Sequence, residues 1–586
     1  MQAQNCHDFA ELYQWSIQLR ADFWQAAVAA LQIKFQQKYR QILDLSEGVA
    51  KPNWLVGAKL NIIESCWQAD TNAIAIVFAD DKQQIQTITY GQLKILSARV
   101  ANSLIKLGFV AGDAIAIDMV MTVEAVAIYL GIIQIGGIVV GIADSFAAAE
   151  VHKRLSIAKA KAIFTQDILL RAGKQHPLYE KIIDAELPLA IVVPRLAELN
   201  VKLRATDLSW QQFLVANSEF AAIACDPHAP INILFSSGTT AEPKAIVWDH
   251  TSAIKAAIDG YLYQDLKPGD RIAWPSSLGW MMGPWLIFAT LINKATMALF
   301  YDAPNTLQFT EFVAKAQITV LGLVPSLIKN WRLHNYLAAV DWSQIKLFTS
   351  TGETSNPDDM QYLMQLTDAP VIEYCGGTEI AGAYITSTLL QDNLPGLFST
   401  PVLGLDLKLL DENGKETDKG KIALVPPTMG LSRVLLNRDN YQVYYSGMPQ
   451  TQDGVILRRH GDQMQRLANG YYRSLGRADD SMNLGGIKIS AAEIEQCFVG
   501  MPQIVETAAI GLNRNDNPTE LVIFVVATNA KNLDLQILQQ KLQQAINQKL
   551  NPLFKISAVK IVEALPRTNS NKIMRRVLRE QLREDT

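Results

Sequence analysis

The segment from Ser236 to Lys244 reads Ser-Ser-Gly-Thr-Thr-Ala-Glu-Pro-Lys and follows an apolar run at 231–235. Closely spaced hydroxyl and main-chain N–H donors followed by a lysine suit an oligophosphate. The residues that would hold it are Ser236, Ser237, Gly238, Thr239, Thr240 and Lys244. The Gly-Lys-Ser/Thr ending of the P-loop is missing. Because a Ser/Thr/Gly loop is more often a simple turn, the segment alone indicates phosphate binding only weakly.

The strand that would position this loop belongs to a series of short apolar, β-branched runs that alternate with helical stretches from about residue 55 to 400. The runs lie at 73–78, 114–117, 190–193, 231–235, 318–322 and 371–373. Alternation of this kind predicts an α/β fold of parallel sheets with crossover helices. The phosphate loop would then follow a buried strand.

The remaining chain predicts further parts. Residues 1–50 are predicted as an amphipathic helical cover of a main domain at 51–477. Gly, Pro, Asp and Asn separate short strands predicted at 405–410, 421–425 and 455–458, which favours a small β-barrel or antiparallel sheet at about 400–475. Residues 478–480 interrupt the pattern. Residues 481–586 mix strands with helices, as in a small α+β domain.

Composition excludes several classes of protein. The 586 residues exceed the ~250–300 at which one core stops growing, so at least two domains are expected. A hydrophobic content of 49%, a net charge of -4 and a pI near 6.1 are typical of a soluble globular protein without a nucleic-acid partner. Five scattered cysteines support neither a disulfide framework nor a zinc site. With neither a secretory signal nor a peroxisomal C-terminus, a cytoplasmic location is predicted. The oligomeric state is left open.

An uncharged apolar stretch of 19 residues at 125–143 approaches the ~20 needed to span a bilayer. Gly136 and Gly137 divide it, with helix-compatible residues before them and the β-branched Ile-Val-Val after them. This division favours a buried helix-turn-strand unit of the sheet over a membrane span.

Further motifs follow the phosphate loop in a fixed order. They are Thr351-Gly352-Glu353-Thr354, Tyr374-Cys375-Gly376-Gly377-Thr378-Glu379, His460-Gly461-Asp462, GRADDSMNLGGIKISAAEIE from Gly476 and LPRTNSNKIMRR from Leu565. In this order, they resemble the signatures of the adenylate-forming superfamily of acyl-CoA synthetases, carrier-protein adenylation domains and luciferases. The Trp-rich N-terminal segment and LGWMMGPW from Leu278 are similar to the acetyl-CoA synthetase branch, and within it to plant acyl-activating enzymes, which are assigned to peroxisomes.

The resemblance implies an acid-CoA ligase that uses ATP, Mg²⁺ and coenzyme A, and it implies roles for individual residues. Thr378 would contact the α-phosphate and Glu379 would hold Mg²⁺. Asp462 would bind the ribose hydroxyls, and Arg477 the ribose or phosphate. The nucleotide contacts would be completed by Gly352, Glu353, Thr354, Glu373, Tyr374 and Cys375. Without the resemblance, Glu379 is a surface helix cap and the Gly-Asp pair a turn.

The resemblance also implies that the C-terminal domain alternates between two orientations about a hinge at residues 478–480, with Asp479 at the hinge position. Lys572 would bridge the α-phosphate and the carboxylate during adenylation, and Gly485 with Gly486 would line the pantetheine tunnel afterwards. Lys488 stands where acetyl-CoA synthetases commonly carry arginine, so the charge is kept and the bidentate fork is lost. A solvated basic helix is the plain alternative for the segment around Lys572.

The acyl substrate is expected to be larger than acetate. Acetyl-specific relatives close the acyl pocket with a tryptophan at the position of Gly376, and each CH₂ that a longer acid buries contributes about 0.8 kcal/mol. A medium-chain or aryl-substituted acid is therefore predicted. The residues expected to line the pocket are Trp280, Met281, Met282, Thr351, Gly376 and Gly377.

Three alternatives stay open on the sequence. One is an acetyl-CoA synthetase proper, since the two methionines can refill the pocket. Another is an adenylating enzyme that loads a separate carrier protein. A non-enzymatic nucleotide-binding protein is disfavoured by the joint presence of Glu379, Asp462, Arg477 and Lys572.

Overall fold

The computed structural model describes residues 6–80, 82–183, 188–236, 243–338, 340–484, 487–512, 519–528, 534–550, 554–567 and 573–584. The chain divides into two compact units. Unit 1 comprises Met1–Thr351, Ser355–Leu407 and Leu424–Arg458, and unit 2 comprises Gly352–Thr354, Lys408–Ala423 and Arg459–Thr586. The predicted hinge at 478–480 lies within the range Arg459–Thr586 of unit 2 and stays a prediction.

The described helices and strands are as follows. The helices are α1 (Phe9–Gln18), α2 (Arg20–Ala30), α3 (Tyr90–Lys106), α4 (Val123–Gln134), α5 (Ala148–Ala158), α6 (Tyr179–Ile183), α7 (Trp210–Phe213), α8 (His250–Leu262), α9 (Met282–Ile292), α10 (Leu307–Lys315), α11 (Pro325–Leu333), α12 (Pro357–Thr367), α13 (Asn440–Tyr444), α14 (Ala491–Gln496), α15 (Leu535–Lys549) and α16 (Arg575–Glu584). The strands are β1 (Gln41–Asp44), β2 (Asn53–Val56), β3 (Ile74–Ala79), β4 (Ile85–Thr89), β5 (Ala114–Asp118), β6 (Ile138–Ile142), β7 (Ala162–Gln166), β8 (Ile168–Arg171), β9 (Lys174–Pro177), β10 (Leu189–Val193), β11 (Leu208–Ser209), β12 (Pro230–Ser236), β13 (Lys244–Asp249), β14 (Arg271–Ala273), β15 (Thr296–Leu299), β16 (Val320–Leu323), β17 (Leu347–Ser350), β18 (Val371–Gly377), β19 (Gly382–Thr386), β20 (Thr400–Pro401), β21 (Asp406–Leu410), β22 (Lys419–Val425), β23 (Arg458–Arg466), β24 (Tyr472–Arg477), β25 (Ser481–Leu484), β26 (Ile487–Ser490), β27 (Ile504–Leu512), β28 (Glu520–Ala527) and β29 (Ile556–Ile561). Short 3₁₀ helices lie at Ile62–Trp67, Thr378–Ile380 and Ala478–Asp480.

Two large sheets form the core of unit 1 among the described residues. One has seven strands in the order β11-β10-β7-β5-β6-β12-β13, and the other has nine in the order β20-β19-β18-β17-β16-β14-β15-β3-β4. The inner pairings are parallel, whereas β13, β4, β19 and β20 pair antiparallel at the edges. The predicted α/β fold is confirmed.

The apolar stretch at 125–143 forms the buried unit that its glycines predicted. It runs through α4 into β6, and Gly136 turns the chain between them with φ +71°. Both elements are buried, which explains their continuous apolar sequence, since parallel strands carry helices on both faces. None of the helices in the described ranges is long and apolar enough to cross a membrane.

The helical prediction for residues 1–50 is only half right. α1 and α2 confirm its first part, but β1 follows and pairs antiparallel with β2, with Leu43 opposite Trp54. Trp24 packs edge-to-face on Trp54 at 5.9 Å between ring centroids. Pairing with β2 therefore overrides the local helical pattern at 41–44.

Unit 2 contains most residues of the four-stranded sheet β21-β22-β23-β24, together with the pair β25-β26 and the three-stranded sheet β27-β28-β29, among its described residues. α15 lays Leu538, Leu542 and Ile546 on one apolar cluster, and α16 lays Leu578 and Leu582 on another. The predicted α+β character of this part is confirmed. The strand predicted at 455–458 is wrong, because β23 begins at Arg458 and carries the polar sequence RRHGDQMQR.

Candidate active site

The described ends of the phosphate loop are paired in the seven-stranded sheet. Ser236 ends β12, Lys244 begins β13, and the two residues are register partners. Asn437 supports the hairpin from the side, since its Oδ1 accepts from the N–H of Ala245 at 3.0 Å and its Nδ2 donates to the carbonyl of Pro243 at 2.9 Å. The predicted contacts Ser237, Gly238, Thr239 and Thr240 lie outside the described residues.

Thr378 and Glu379 form a short 3₁₀ turn at the end of β18. Three groups hold the turn by its main chain. The indole N–H of Trp248 donates to the Thr378 carbonyl at 2.7 Å, and the N–H of Ser432 donates to the Glu379 carbonyl at 2.8 Å. Arg458 reaches the same carbonyl at 3.4 Å and the Ser432 hydroxyl at 2.9 Å. The carboxylate of Glu379 is therefore carried on a fixed backbone.

Arg458 is fully buried beside this turn, and its guanidinium lies 3.9 Å from the ring centroid of Tyr444. The ammonium of Lys244 lies 5.3 Å from the same centroid. Two cations thus lie close to one aromatic ring, and such cation–π contacts are more favourable when water is excluded. Burial, followed by the charge of Glu379, raises the pKa of the Tyr444 hydroxyl above its usual range. Arg458 and Lys244 therefore concentrate positive charge around Tyr444, next to the end of the phosphate loop at Lys244.

Glu373 lies on β18 with its carboxyl group buried. The hydroxyl of Ser355 donates to its Oε2 at 2.7 Å, and Ser350 lies 3.1 Å from Ser355. Burial raises the pKa of Glu373 to about 7, because desolvation outweighs the hydrogen bond from Ser355. This residue can therefore be present as a neutral acid near pH 7.

Tyr374 and Cys375 follow on opposite faces of the strand. Tyr374 is fully buried, and its hydroxyl donates to Asp259 Oδ2 at 2.6 Å. Its ring packs edge-to-face on Trp274 and Trp285. Cys375 is partly exposed, with its sulfur 3.3 Å from the hydroxyl of Tyr384. Of the two predicted nucleotide contacts, Cys375 is the one whose side chain offers accessible surface.

Gly376 and Gly377 pair with Ala383 and Gly382 of β19. A Cβ at Gly376 would lie 1.8 Å from the carbonyl oxygen of Gly382. The space that the missing side chain was expected to open is thus taken, next to the strand, by a main-chain oxygen. No side chain fits at residue 376 without movement of β19, so the deeper pocket expected there stays a prediction.

Three of the other predicted acyl-pocket residues, Trp280, Met281 and Met282, lie around the start of α9. Trp280 is partly exposed and packs against Phe146 at 5.6 Å between ring centroids, and Met281 caps α9. Met282 is buried at the first position of the helix. Thr351 directly follows β17, and its N–H donates to the carbonyl of Leu323 at 3.2 Å.

The remaining predicted residues belong to unit 2. In its sheet, Asp462 and Arg477 are register partners of β23 and β24. Arg477 donates to Asp462 Oδ1 at 3.0 Å, and His460 Nε2 lies 3.0 Å from Oδ2. Gly461 carries φ +109°, and a Cβ there would lie 2.9 Å from the Arg477 guanidinium. Glycine therefore permits the close pairing of Asp462 with Arg477.

Gly352, Glu353 and Thr354 also belong to unit 2. Gly352 has φ +90°, which glycine adopts without strain. Glu353 forms an ion pair with Arg567 at 3.8 Å, and the Thr354 hydroxyl lies 3.5 Å from that of Ser474. The nucleotide contacts predicted at 352–354 thus lie on a turn that begins with a glycine of positive φ and carries a polar side chain on each of the next two residues.

Some predicted residues are placed only in part. Asp479 falls in the 3₁₀ turn Ala478–Asp480, and Lys488 falls in β26, with side chains that lie outside the description. Gly485, Gly486 and Lys572 lie outside the described residues altogether.

The comparisons with known proteins bear on this geometry. A family model described as AMP-binding enzyme matches residues 63–426, which is more than half of the chain. The chain belongs to the AMP-binding enzyme family. Models for the acetyl-coenzyme A synthetase N-terminus and the AMP-binding enzyme C-terminal domain match residues 9–66 and 493–572 of this AMP-binding enzyme.

Named relatives extend the family assignment over nearly the whole length. The AMP-binding enzyme is 44% identical to "Probable acyl-activating enzyme 17, peroxisomal" of Arabidopsis thaliana and 42% identical to "Hexanoyl-CoA synthase" of Cannabis sativa. Both matches cover 98% of this chain and 83% of the relative. The fold matches the acetoacetyl-CoA synthetase from Streptomyces lividans with a TM-score of 0.89 at 24% identity, over 98% of this chain and 90% of that one.

The resemblance read from the motifs is therefore confirmed, and the chain is an acyl-CoA synthetase of the AMP-binding enzyme family, whose substrates are ATP and coenzyme A. The cytoplasmic location stays a prediction, and the printed name of one relative says peroxisomal. Sequence reasoning missed the groups that hold the Thr378–Glu379 turn, which are Trp248, Ser432 and Arg458. Only Arg458 gave a signal, as the first of two arginines that precede the His-Gly-Asp motif.

Proposed function

We propose that this AMP-binding enzyme joins a carboxylic acid larger than acetate, medium-chain or aryl-substituted, to coenzyme A through an acyl-adenylate. The observation that carries the proposal is the 42% identity to a hexanoyl-CoA synthase over 98% of the chain. Gly376 is compatible with it, because no indole stands at that position, although the carbonyl of Gly382 occupies the space next to the strand.

The reaction consists of two transfers. In the first, a carboxylate oxygen attacks the α-phosphorus of ATP, the bond to the bridging oxygen breaks, and pyrophosphate leaves. In the second, the thiolate of coenzyme A attacks the acyl carbon and AMP leaves with the bonding electron pair. Neither transfer requires an oxidant. The acid reacts as its carboxylate, so no general base is needed to deprotonate it. The protein's contribution is alignment and positive charge where negative charge accumulates.

In unit 1, Lys244 and the donors near it would bind the phosphates, and Thr378 would contact the α-phosphate. Glu379 fits Mg²⁺, because its carboxylate stands on a backbone that Trp248 and Ser432 fix. Within the described ranges no group of three or more His, Cys, Asp or Glu residues could hold a metal. Mg²⁺ at Glu379 would therefore take its other ligands from phosphate oxygens and water, as it commonly does, and it would neutralise phosphate charge.

In unit 2, Asp462 would bind the ribose. His460 lies at one of its carboxylate oxygens, and Arg477 donates to the other. A carboxylate has about four acceptor positions, and its two oxygens suit the two adjacent hydroxyls of a ribose. The two partners fix the orientation of the carboxylate for that role. Lys572 would stabilise the charge that develops during adenylation, and Lys488 would add to it.

The proposal is tested by AMP formation from ATP and coenzyme A with acetate, hexanoate and phenylacetate as acids. We expect the highest kcat/KM for hexanoate or phenylacetate. A kcat/KM for acetate above both would overturn the acyl assignment and indicate an acetyl-CoA synthetase. AMP formation that depends on the acid but not on coenzyme A would indicate a carrier-protein thiol as the acceptor.

A further inference from the structure

A buried ion pair on α8 has no part in the chemistry described so far. Lys255 and Asp259 lie one helical turn apart, and the lysine nitrogen is 2.5 Å from both carboxylate oxygens. Their side chains are 1% and 2% exposed. Removing two charges from water is costly, and similar pairs are often replaced by apolar residues without loss of stability. The pair therefore calls for an explanation other than stability.

The pair binds the main chain of one residue on β19. The ammonium of Lys255 donates to the carbonyl of Ala383 at 3.1 Å, and Asp259 Oδ2 accepts from the N–H of the same residue at 3.0 Å. The hydroxyl of Tyr374 on β18 donates to Oδ2 at 2.6 Å. A single ion pair thus connects α8 to both strands of the β18–β19 ladder.

These contacts occur where the ladder is irregular. Cys375 is opposite Ile385, but the next residue, Gly376, is opposite Ala383, so Tyr384 is an extra residue on β19. A bulge of this kind disrupts the regular hydrogen bonds between strands. Here the ion pair supplies a side-chain partner to each main-chain group of Ala383, so the irregular register is satisfied rather than strained.

Glycines permit this arrangement on both sides of β19. A Cβ at Gly382 would lie 2.2 Å from Asp259 Oδ2, and a Cβ at Gly376 would lie 1.8 Å from the carbonyl of Gly382. The carboxylate thus approaches the backbone of β19 from one side, while the Gly382 carbonyl is pressed against Gly376 on the other. The position of that carbonyl depends on where the pair holds Ala383.

We propose that Lys255 and Asp259 are positioning residues that set the shape of the acyl pocket, by holding the Gly382 carbonyl against Gly376. This inference rests on the proposed function, which places the acyl group at Gly376. The pair touches neither the acid nor the nucleotide. It fixes a polar wall of the pocket, and the discrimination between acids of different length depends on that wall.

Two double variants distinguish the effect of the hydrogen bond from Ala383 to residue 259 from the effect of the two charges. K255M/D259L removes both charges and the acceptor for the Ala383 N–H. K255M/D259N removes both charges but keeps an amide oxygen that can accept from Ala383 and Tyr374. We expect K255M/D259L to change the ratio of kcat/KM for hexanoate over acetate at least fourfold, the value of about one methylene contact. K255M/D259N should stay within twofold of the wild-type ratio, and the KM for ATP should not change in either variant.

The matched control is a second ion pair of unit 1, between Arg332 on α11 and Asp359 on α12. R332M/D359L should lower the melting temperature without a change in the ratio. A folded K255M/D259L with the wild-type ratio overturns the inference, since the pair would then be only a structural support. If K255M/D259L does not fold, Tyr374→Phe provides the test instead, because it removes the hydrogen bond from Tyr374 to Asp259 and leaves both charges in place. It should shift the ratio at least twofold, and an unchanged ratio overturns the inference.

The two proposals fail in different ways. A wild-type protein that forms no AMP with any acid of the panel contradicts the proposed function itself. If the wild type is active and the ratio of kcat/KM for hexanoate over acetate does not change in the variants of Lys255 and Asp259, only the positioning role is contradicted.

Discussion

The indole N–H of Trp248 donates to the main-chain oxygen of Thr378 across 2.7 Å, from β13 to the turn that carries Glu379. Trp248→Phe keeps the aromatic bulk and leaves that oxygen without its donor. An unsatisfied buried acceptor costs about 1–3 kcal/mol. We expect AMP formation to fall about tenfold or more, with a raised Mg²⁺ requirement, because the carboxylate of Glu379 loses its fixed backbone. Initial rates over a Mg²⁺ titration measure this.

Trp331→Phe is the matched control for that variant. Trp331 is also fully buried, and its indole N–H donates to the carbonyl of Pro304 at 2.9 Å, on α11. Its loss should lower the melting temperature comparably and leave the Mg²⁺ dependence unchanged. Equal effects of both variants on the Mg²⁺ titration would show that stability alone is responsible.

Glu373 gives the protein a pH dependence of known sign. Its folded pKa of about 7 lies above the unfolded value, so it stabilises the fold fully below about pH 4.5. That contribution is lost as the pH rises to about 7, and it amounts to about 3 kcal/mol for a shift of this size. Glu373→Gln should therefore lack this decrease. Denaturant unfolding of both proteins at pH 5, 6, 7 and 8 measures the difference.

Asp118 provides the comparison for Glu373. It is buried at the end of β5, 3.3 Å from Lys181, and burial raises its pKa to about 7 as well. Asp118→Asn should remove a pH-dependent contribution of the same sign without altering the KM for ATP. If Glu373→Gln likewise leaves the KM for ATP unchanged between pH 6 and 8, the predicted nucleotide role of Glu373 is contradicted.

Substitution of Gly376 should destabilise the protein, because residue 376 lies in close contact with β19. Gly376→Ala places a methyl group where the Gly382 carbonyl lies, and overpacking of this kind costs about 1–3 kcal/mol. We expect a lower melting temperature and an altered preference among acids. Cys375→Ala, on the partly exposed face of the same strand, should cost less. A Gly376→Ala variant as stable as wild type would mean that β19 moves freely.

Lys572 tests the division of the reaction between two half-reactions. Lys572→Ala should abolish acid-dependent pyrophosphate exchange, because the positive charge at the α-phosphate is lost. Thioester formation from supplied acyl-adenylate should be spared. Arg576→Ala, which removes an exposed cation of α16, serves as the control. Equal loss of both half-reactions in Lys572→Ala contradicts the assignment.

The sequence predicted the α/β fold well because its parallel strands are buried on both faces and read as continuous apolar runs, as at β5 and β12. Strands that depend on a distant partner were missed. β1 pairs with β2, and β23 carries nine mostly polar residues whose pairing with β24 is invisible to a hydrophobic pattern.

The motifs located Thr378, Glu379 and Asp462, but they did not reveal what supports them. Trp248 and Ser432 lie 130 residues before Thr378 and 53 after Glu379 in the chain, and each acts through a hydrogen bond to the main chain. No local pattern marks such a donor. Lys255 and Asp259 gave a visible signal, since two opposite charges four residues apart interrupt an otherwise largely apolar helix, yet surface helices show the same spacing.

The contact between Gly382 and Asp259 limits how this protein can diverge. Any side chain at residue 382 would clash with the carboxylate of Asp259, and any side chain at residue 376 would clash with the carbonyl of Gly382. Single substitutions at these positions are therefore penalised, although combined changes can be accommodated. Selection for a new acid from a library should recover residues 259, 376 and 382 as linked sets, with strong epistasis among them and few functional single-step intermediates.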